Sequence, residues 1–332
     1  MGSNVTLEMV ADLAEVSTCT VSKILSGRDA NSIYKRETIA RVKAAAKRLQ
    51  YFPRIQARGL RSGLKYMMTF VTSNVGENHT REYLAPICVG AMEKLAQKGY
   101  SVQTLVAESA EKASALFGQS DGIAAITELS DEIRDLIEAK KLPAIWVNMG
   151  KGKPHDCIEP DDVSGCKLLA RHLLDCGYEN AFFVRRNDME RPHRSLITRR
   201  NVMKENLTGF HFEEVLRETA PLGDIYRRVR KGQLKKTVIA GYGEGDTTFA
   251  LCLALSHGLS VPGDIGFCAC DMTVVREDIY GGVEFTGAIS DIFEVGHQSG
   301  RMLLEKIEHN GFPIPSVCVP ESLVIGNSTR QQ

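Results

Sequence analysis

Residues 5–27 read VTLEMVADLAEVSTCTVSKILSG, and the spacing of their apolar positions decides how the chain begins. Thr6 is of N-cap type, and Leu7, Val10, Ala11 and Ala14 follow at i, i+3, i+4 and i+7, one face of a helix. Val16-Ser17 closes a short turn, and Ser17 caps a second helix running to about Leu25. Val21, Ile24 and Leu25 form its inner face. Thr18 with Ser22 and Cys19 with Lys23 are adjacent i, i+4 pairs, so the opposite face is a short polar strip. After Ser26-Gly27 and a polar loop, Ile39, Val42, Ala46 and Leu49 mark a third helix. Two short helices joined by a tight turn and braced by a third make a helix-turn-helix. The second helix of such a unit fits the major groove of duplex DNA, where small side chains reach base edges and hydroxyls hold phosphates. A generic three-helix bundle with a solvated polar face is the competing reading.

The segment that follows weighs against the bundle. Pro53 suits the first turn of a short helix. In residues 54–63, RIQARGLRSG, Arg54, Arg58 and Arg61 stand at i, i+4 and i+7, while Leu60 projects from a different side. Gly59 weakens this helix by ~1 kcal/mol, so it forms only against a partner. Arginines beside one exposed leucine suit the minor groove, where an apolar wedge unstacks a base step. A soluble basic linker is the plainer alternative. Charge points the same way as the groove reading. Residues 1–65 hold 12 Lys+Arg and 5 Asp+Glu, a net +7, and the rest of the chain holds 29 and 36, a net −7. A basic head on an acidic body fits a polyanion-binding module joined to something that must not bind polyanions.

From Tyr66 onward, short apolar runs alternate with amphipathic stretches. Met67–Thr72, Ser101–Val106, Gly122–Ile126 and Ala144–Val147 read as buried strands, with helices at Tyr83–Lys98 and Glu132–Ala139. The rhythm repeats with a helix at Val163–Cys176, a strand at Ala181–Val184 and a helix at Arg194–Glu205. It continues through a strand at Thr237–Ala240, a helix at Thr247–His257 and a strand at Ile265–Cys270. Alternation of this kind implies an α/β fold of parallel sheets flanked by helices. Two such series imply two lobes, with ligand held beyond the carboxyl ends of the strands. Tyr83, Asn148, Arg194 and Asp271 fall where strand ends meet that cleft. An aromatic face, an amide, a guanidinium and a carboxylate can orient a small polyhydroxy or heterocyclic ligand. A solvated helix face for Arg194 and a turn cap for Asp271 are the alternatives.

Composition bounds the rest. With 332 residues, 43% hydrophobic and 25% charged, the chain is no disordered polymer. No apolar run approaches the ~18–20 residues of a membrane span, and the first residues lack the pattern of a secretory signal. Nine cysteines without paired zinc-ligand spacing read as reduced thiols of a cytoplasmic protein, with Cys268-Ala-Cys270 inside a buried strand. Glu159, Asp161 and Asp162 could gather a cation, but a chain crossover is preferred there. The strongest enzyme reading is a nucleotide-binding turn at Gly241-Tyr-Gly243-Glu-Gly245. Its third glycine comes too early for G-x-G-x-x-G, and the phosphate-loop Lys-Ser/Thr is missing. The eight histidines form no His-Glu-x-x-His, and no Gly-x-Ser-x-Gly elbow occurs. Neither catalysis, a cofactor nor a metal is therefore expected. A solute-binding receptor with the same body is a second alternative, opposed by the basic head.

Residues 5–27, with RVKAAAKRLQYFPRIQARGLRSG at 41–63, resemble the head and hinge of the LacI/GalR (lactose repressor/galactose repressor) transcriptional regulators. The resemblance continues through DGIAAI (121–126), KLPAIWVN (141–148), DDVSGCKLLARHLLDCGY (161–178), HGLSVPGDIGF (257–267) and ESLVIGNST (321–329). It implies a helix-turn-helix domain at 1–52, a hinge helix at 53–65 and a two-lobed, periplasmic-binding-protein-like core at 66–332. The N-lobe would take about 66–160 and 291–317, the C-lobe about 161–290 and 318–330, with crossings near Asp161, Ser290 and Val317. By resemblance Thr18, Cys19 and Lys23 touch bases and Leu60 is the minor-groove lever. Ser17, Thr20, Ser22, Arg54, Ala57, Arg58 and Arg61 then meet the DNA backbone, and Tyr83, Asn148, Arg194 and Asp271 meet an effector. The partners implied are a pseudo-palindromic double-stranded operator, a second copy in a homodimer and a small-molecule effector, with no membrane. The effector is a sugar or related metabolite, and Arg185, Arg186 and Arg191 keep a sugar phosphate or acid open. Repression is the expected sense. The sequence departs from the family at Glu15, usually Gly, at Gly243-Glu244, usually Asn-Asp, and at Ser290-Asp291, usually Gln-Pro. The loop at 32–35 departs as well.

Overall fold

The computed structural model describes residues 5–25, 33–51, 63–72, 83–107, 109–126, 129–148, 154–186, 193–273 and 282–330. The chain divides into two units, Met1–Tyr66 and Met67–Gln332.

The first unit contains α1 (Leu7–Ala14), α2 (Thr18–Leu25) and α3 (Arg36–Arg48). Side-chain caps set the starts of α1 and α2: Met9 N–H donates to Thr6 Oγ1 at 3.3 Å, and Thr20 N–H to Ser17 Oγ at 3.2 Å. Val10, Ala14, Val21 and Val42 are fully buried, and Ala11, Ile24, Ile39, Ala45 and Ala46 close the same core. At ~1.5–3 kcal/mol per buried large aliphatic side chain, this small set supplies most of the driving force for the unit. The turn after α1 is a glycine-type helix stop. Val16 N–H donates to Ala11 O at 3.1 Å and Glu15 N–H to Asp12 O at 3.2 Å, with Glu15 at φ 52°, ψ 47°. A side chain in that left-handed conformation costs ~1–2 kcal/mol. Glu15→Gly is therefore expected to stabilise the unit by about 1 kcal/mol, seen as slower hydrogen exchange at the α1 amides. Unchanged exchange would mean that the turn carries no strain.

The second unit holds two sheets. Its strands and helices run β1 (Met67–Thr72), α4 (Ala85–Ala96), β2 (Ser101–Val106), α5 (Ala110–Phe117), β3 (Gly122–Ile126), α6 (Asp131–Lys140), β4 (Ala144–Val147) and β5 (Cys157–Pro160). There follow α7 (Asp162–Asp175), β6 (Asn180–Arg185), α8 (Arg194–Asn206), β7 (His211–Leu216), α9 (Thr219–Arg230), β8 (Thr237–Gly241), α10 (Glu244–Ser256) and β9 (Ile265–Met272). The chain ends with β10 (Thr286–Ser290), α11 (Ile292–Glu308), β11 (Val317–Val319) and β12 (Glu321–Val324). One six-stranded sheet has the order β11-β5-β4-β3-β1-β2, and the other β12-β10-β9-β8-β6-β7. All neighbours pair in parallel except β10 and β12. Parallel strands covered on both faces need unbroken apolar runs. The run at Ile265–Met272 is buried throughout, Cys268 and Cys270 included. All nine cysteines are free thiols.

The chain passes between the sheets three times. At two passages the first residue beyond the strand caps the next helix: Asp161 accepts from Ser164 N–H at 3.1 Å, and Asp291 from Glu294 N–H at 2.8 Å. The third differs from the sequence reading, which put it near Val317. Val317–Val319 still pairs with β5 of the first sheet, and the second sheet begins at Glu321. Pro320, which has no N–H to give to a ladder, stands between them. After the second passage α11 returns to the first lobe and packs against α4. A Cβ at Gly90 would collide with the backbone of Phe293, and one at Gly296 with that of Ile87, so these helices touch backbone to backbone. Among the described residues no helix is long and apolar enough to cross a membrane.

Candidate functional site

Two sets of residues carry chemistry, one in each unit. On α2, the burial of Val21 and Ile24 turns the other face outward. Ser17, Thr18, Cys19 and Lys23 are exposed, and Thr20 and Ser22 are half-buried. The hydroxyls of Ser17 and Thr20 lie 2.9 Å apart, so each keeps lone pairs for a further partner. The strip is short and polar, and only Lys23 in it is charged. Arg54, Ala57, Arg58, Leu60 and Arg61 lie outside the described residues.

In the second unit a polar cluster spans the two lobes at the carboxyl ends of their strands. Its centre is Arg199, whose side chain is 6% exposed. Arg199 Nε donates to Asp162 Oδ1 at 2.7 Å, Nη2 lies 3.1 Å from Asp271 Oδ2, and Nη1 donates to Tyr242 O at 3.3 Å. Its guanidinium also stacks over the Tyr242 ring, 4.9 Å from the centroid. The phenol of Tyr83, from the first lobe, donates to Asp271 Oδ2. Ser290 Oγ lies 3.0 Å from Asp271 Oδ1 and 2.6 Å from Glu321 Oε1. A second bridge runs beside the first. Tyr242 Oη and Ser195 Oγ are 2.7 Å apart, Ser195 Oγ and His193 Nδ1 are 2.7 Å apart, and His193 Nε2 is 2.9 Å from Asn148 O. A carbonyl only accepts, so Nε2 carries the ring proton and Nδ1 is left to accept from Ser195.

Burial sets the electrostatics. It opposes the Arg199 charge, but Asp162 and Asp271 outweigh it and hold the guanidinium protonated. Burial pushes the Asp162 carboxyl up against the pull of Arg199. Burial and then Asp271 push the Tyr83 phenol well above its ordinary range, so it stays a donor. A buried guanidinium forked between carboxylates, flanked by two phenols and two hydroxyls, offers both donors and acceptors to a ligand that opens it.

Tyr83, Asn148 and Asp271, three of the four residues the sequence places at the cleft, are brought together here. Arg194 is not among the buried groups: it opens α8 with an exposed side chain. The buried arginine is Arg199, which shares the inner face of α8 with Ser195, Leu196 and Met203. Helical spacing carried that signal, since Arg199 stands three and four residues from Leu196 and Met203, whereas Arg194 lies on the opposite side. Asp162, set aside as a crossover residue, pairs with Arg199, and Asp161 is a helix cap, so neither is left to gather a cation. Arg185 is taken up by Glu214, which also holds Arg200 at 3.0 Å; Arg191 lies outside the described residues. The glycines of the candidate nucleotide turn have structural places: a Cβ at Gly241 would collide with Thr247, Gly243 caps α10, and Gly245 lies within its first turn.

Residues 6–54 match the family model described as bacterial regulatory proteins, lacI family. The chain is 28% identical over 191 residues to the HTH-type transcriptional regulator MalR of Staphylococcus xylosus, covering 54% of this chain and about half, 55%, of that one. It is 22% identical to the catabolite control protein A of Staphylococcus xylosus over 98% of its own length and 99% of the relative's. Among solved structures it resembles the lac repressor dimer bound to operator and the anti-inducer ONPF, with a TM-score of 0.72 at 21% identity, covering 98% of this chain and 99% of that one.

Proposed function

We propose, on the premise that this chain is a LacI/GalR-family regulator, that it is a sequence-specific DNA-binding repressor whose operator affinity is set by a small polyhydroxy metabolite. The observation that carries this reading is the outward polar strip of α2, set opposite its buried Val21 and Ile24. In it Thr18, Cys19 and Lys23 read bases, with a thymine methyl a suitable contact for the weakly polar Cys19. Ser17, Thr20 and Ser22 hold phosphates. Within the hinge at 53–65, Leu60 wedges the minor groove while Arg54, Ala57, Arg58 and Arg61 follow the backbone. A homodimer presents two heads, residues 1–52 of each, to a pseudo-palindromic operator. The protein works in the cytoplasm, without catalysis, cofactor or metal.

The core at 66–332 supplies the control. Tyr83, Asn148 and Asp271 orient the effector, with Arg199 rather than Arg194 as the guanidinium. The cleft favours a neutral effector over a phosphorylated one, because its buried arginine already faces two carboxylates. Such a ligand shifts DNA affinity only by its differential affinity for the two lobe arrangements, typically ~1–3 kcal/mol of coupling. Lys23→Ala tests the base-reading assignment: its operator preference in a binding-site selection is expected to relax by about 1–3 kcal/mol at the contacted position. A site preference identical to that of the parent would remove Lys23 from the reading set.

A further inference from the structure

Three carboxyl groups meet at the inner end of the cleft, Asp162, Asp271 and Glu321, and one guanidinium faces them. Arg199 pairs with the first two; among the described residues no ion pair reaches Glu321. Glu321 opens β12 directly after the third passage between lobes and is 6% exposed. Its Oε2 has no hydrogen-bond partner among the described residues and rests on Gly165 of α7, where a Cβ would collide with it. Its Oε1 lies 2.6 Å from Ser290 Oγ, and the same hydroxyl lies 3.0 Å from Asp271 Oδ1.

That geometry constrains the protons. A hydroxyl has one hydrogen, and an ionised carboxylate only accepts. Two carboxylates therefore cannot both be hydrogen-bonded to Ser290, and one of the two carboxyls must carry a proton. Asp271 pairs with Arg199, an interaction that needs its negative charge, and already accepts from Tyr83. The proton belongs on Glu321, whose O–H then donates to Ser290, which in turn donates to Asp271.

We infer that Glu321 is a further positioning residue of this cleft, a neutral carboxylic acid that orients Asp271, through Ser290, toward Tyr83 and Arg199. The groups facing it from the neighbouring elements agree. Burial and then Asp271 push the Glu321 carboxyl up to about 7, with a smaller push from Asp162 and smaller opposing pulls from Ser290 and Arg199. Ionisation would set two negative charges on one hydroxyl, release Asp271 and loosen the bridge between lobes. The inference rests on the effector reading only for its consequence, that ligand affinity changes with pH.

The sign of the linkage follows. Below about 4.5 the carboxyl is protonated in both the folded and the unfolded chain; between there and about 7 only the folded chain keeps the proton. Stability therefore falls as pH rises through that window, by up to about tenfold per pH unit in the folding equilibrium, and levels off above it. Glu321→Gln keeps a donor for Ser290 and cannot titrate. The test compares the full-length protein and this variant by urea unfolding from about pH 5 to 8, which cancels the histidines common to both. Infrared difference spectra across the same range follow the carbonyl stretch of a protonated carboxyl group. We expect the parent to lose stability relative to the variant as pH rises, with a carboxyl band that fades near pH 7 and is missing from the variant. A difference between the two proteins that is the same at every pH, or no titrating band, would overturn the inference. Should Glu321→Gln fail to fold, the band in the parent still decides it. Neither measurement needs a ligand, so failure of the effector reading and failure of this one are separable.

Discussion

Replacing Arg199 with Ala will cost the second unit about 3–5 kcal/mol of stability, because it strands two buried charges. Asp162 and Asp271 would face each other without the guanidinium that now bridges them, and the Tyr242 ring would lose the cation that covers it. Burial already pushes the Asp162 carboxyl up while the arginine is present, and removing the arginine takes away the main opposing pull, leaving only a smaller one from His193. Part of the penalty will be relieved by proton uptake, so the loss should shrink toward acid pH. Arg199→Lys should recover only a fraction, since one ammonium cannot fork between Asp162, Asp271 and the Tyr242 carbonyl. Urea unfolding of the full chain reads all three results. A loss of less than about 1 kcal/mol would show the cluster to be as hydrated as a surface ion pair, and the cleft could not then act as a built binding site.

The second large effect is on DNA. If Arg54, Arg58 and Arg61 of each of two heads meet phosphates, the complex neutralises about six of them, while the uncharged hydroxyls of Ser17, Thr20 and Ser22 add hydrogen bonds but no salt dependence. Raising the salt from about 50 to about 200 mM should then weaken operator binding by roughly 10³-fold, with a linear slope on a double-logarithmic plot. Lys23→Ala should leave that slope nearly unchanged while relaxing sequence preference, because it is assigned to a base. A flat salt response would falsify the polyanion reading of the basic head, and a preference lost together with the slope would reassign Lys23 to the backbone.

Much of this architecture is legible in the chain because parallel strands are covered on both faces. Met67–Thr72, Gly122–Ile126 and Ala144–Val147 are largely buried strands where their apolar runs place them. Ser101–Val106 stands at its expected position but on a sheet edge, and none of its residues is buried, contrary to the sequence reading. The elements that were not foreseen include the buried strand Thr286–Ser290 and the helix Ile292–Glu308, and several others of different kinds. The strand His211–Leu216 lies at a sheet edge, and its residues are mostly exposed or half-buried, so its pattern is diluted by polar side chains. The helix Thr219–Arg230 carries Pro221 and Gly223, which read as breakers although Leu222, Tyr226 and Val229 hold its inner face. Cys157–Pro160 is only four residues long. The head was readable for a different reason: its caps are local. The cleft was readable only in part. Tyr83 and Asp271 are 188 positions apart, and no local spacing announces such a pair. Glu321 and Ser290 meet Asp271 only because strand order in the second sheet sets β10 between β9 and β12. Arg199 was the recoverable case, since an arginine on the apolar side of a helix needs a buried counter-charge.

The backbone contact between α4 and α11 bears on how a cleft signal would travel. Gly90 and Gly296 leave no side chain between the helices, and a joint with nothing in it has no slack to absorb a tilt. α11 starts at the second passage between lobes, two residues after Ser290, and α4 starts two residues after Tyr83. The two helices therefore form a single stiff yoke, both arms of which start beside residues of the Arg199–Asp271 cluster. A displacement of Ser290 or Tyr83 too small to matter by itself would swing the whole yoke, and a larger residue at either glycine would put play into the linkage before it unfolded anything.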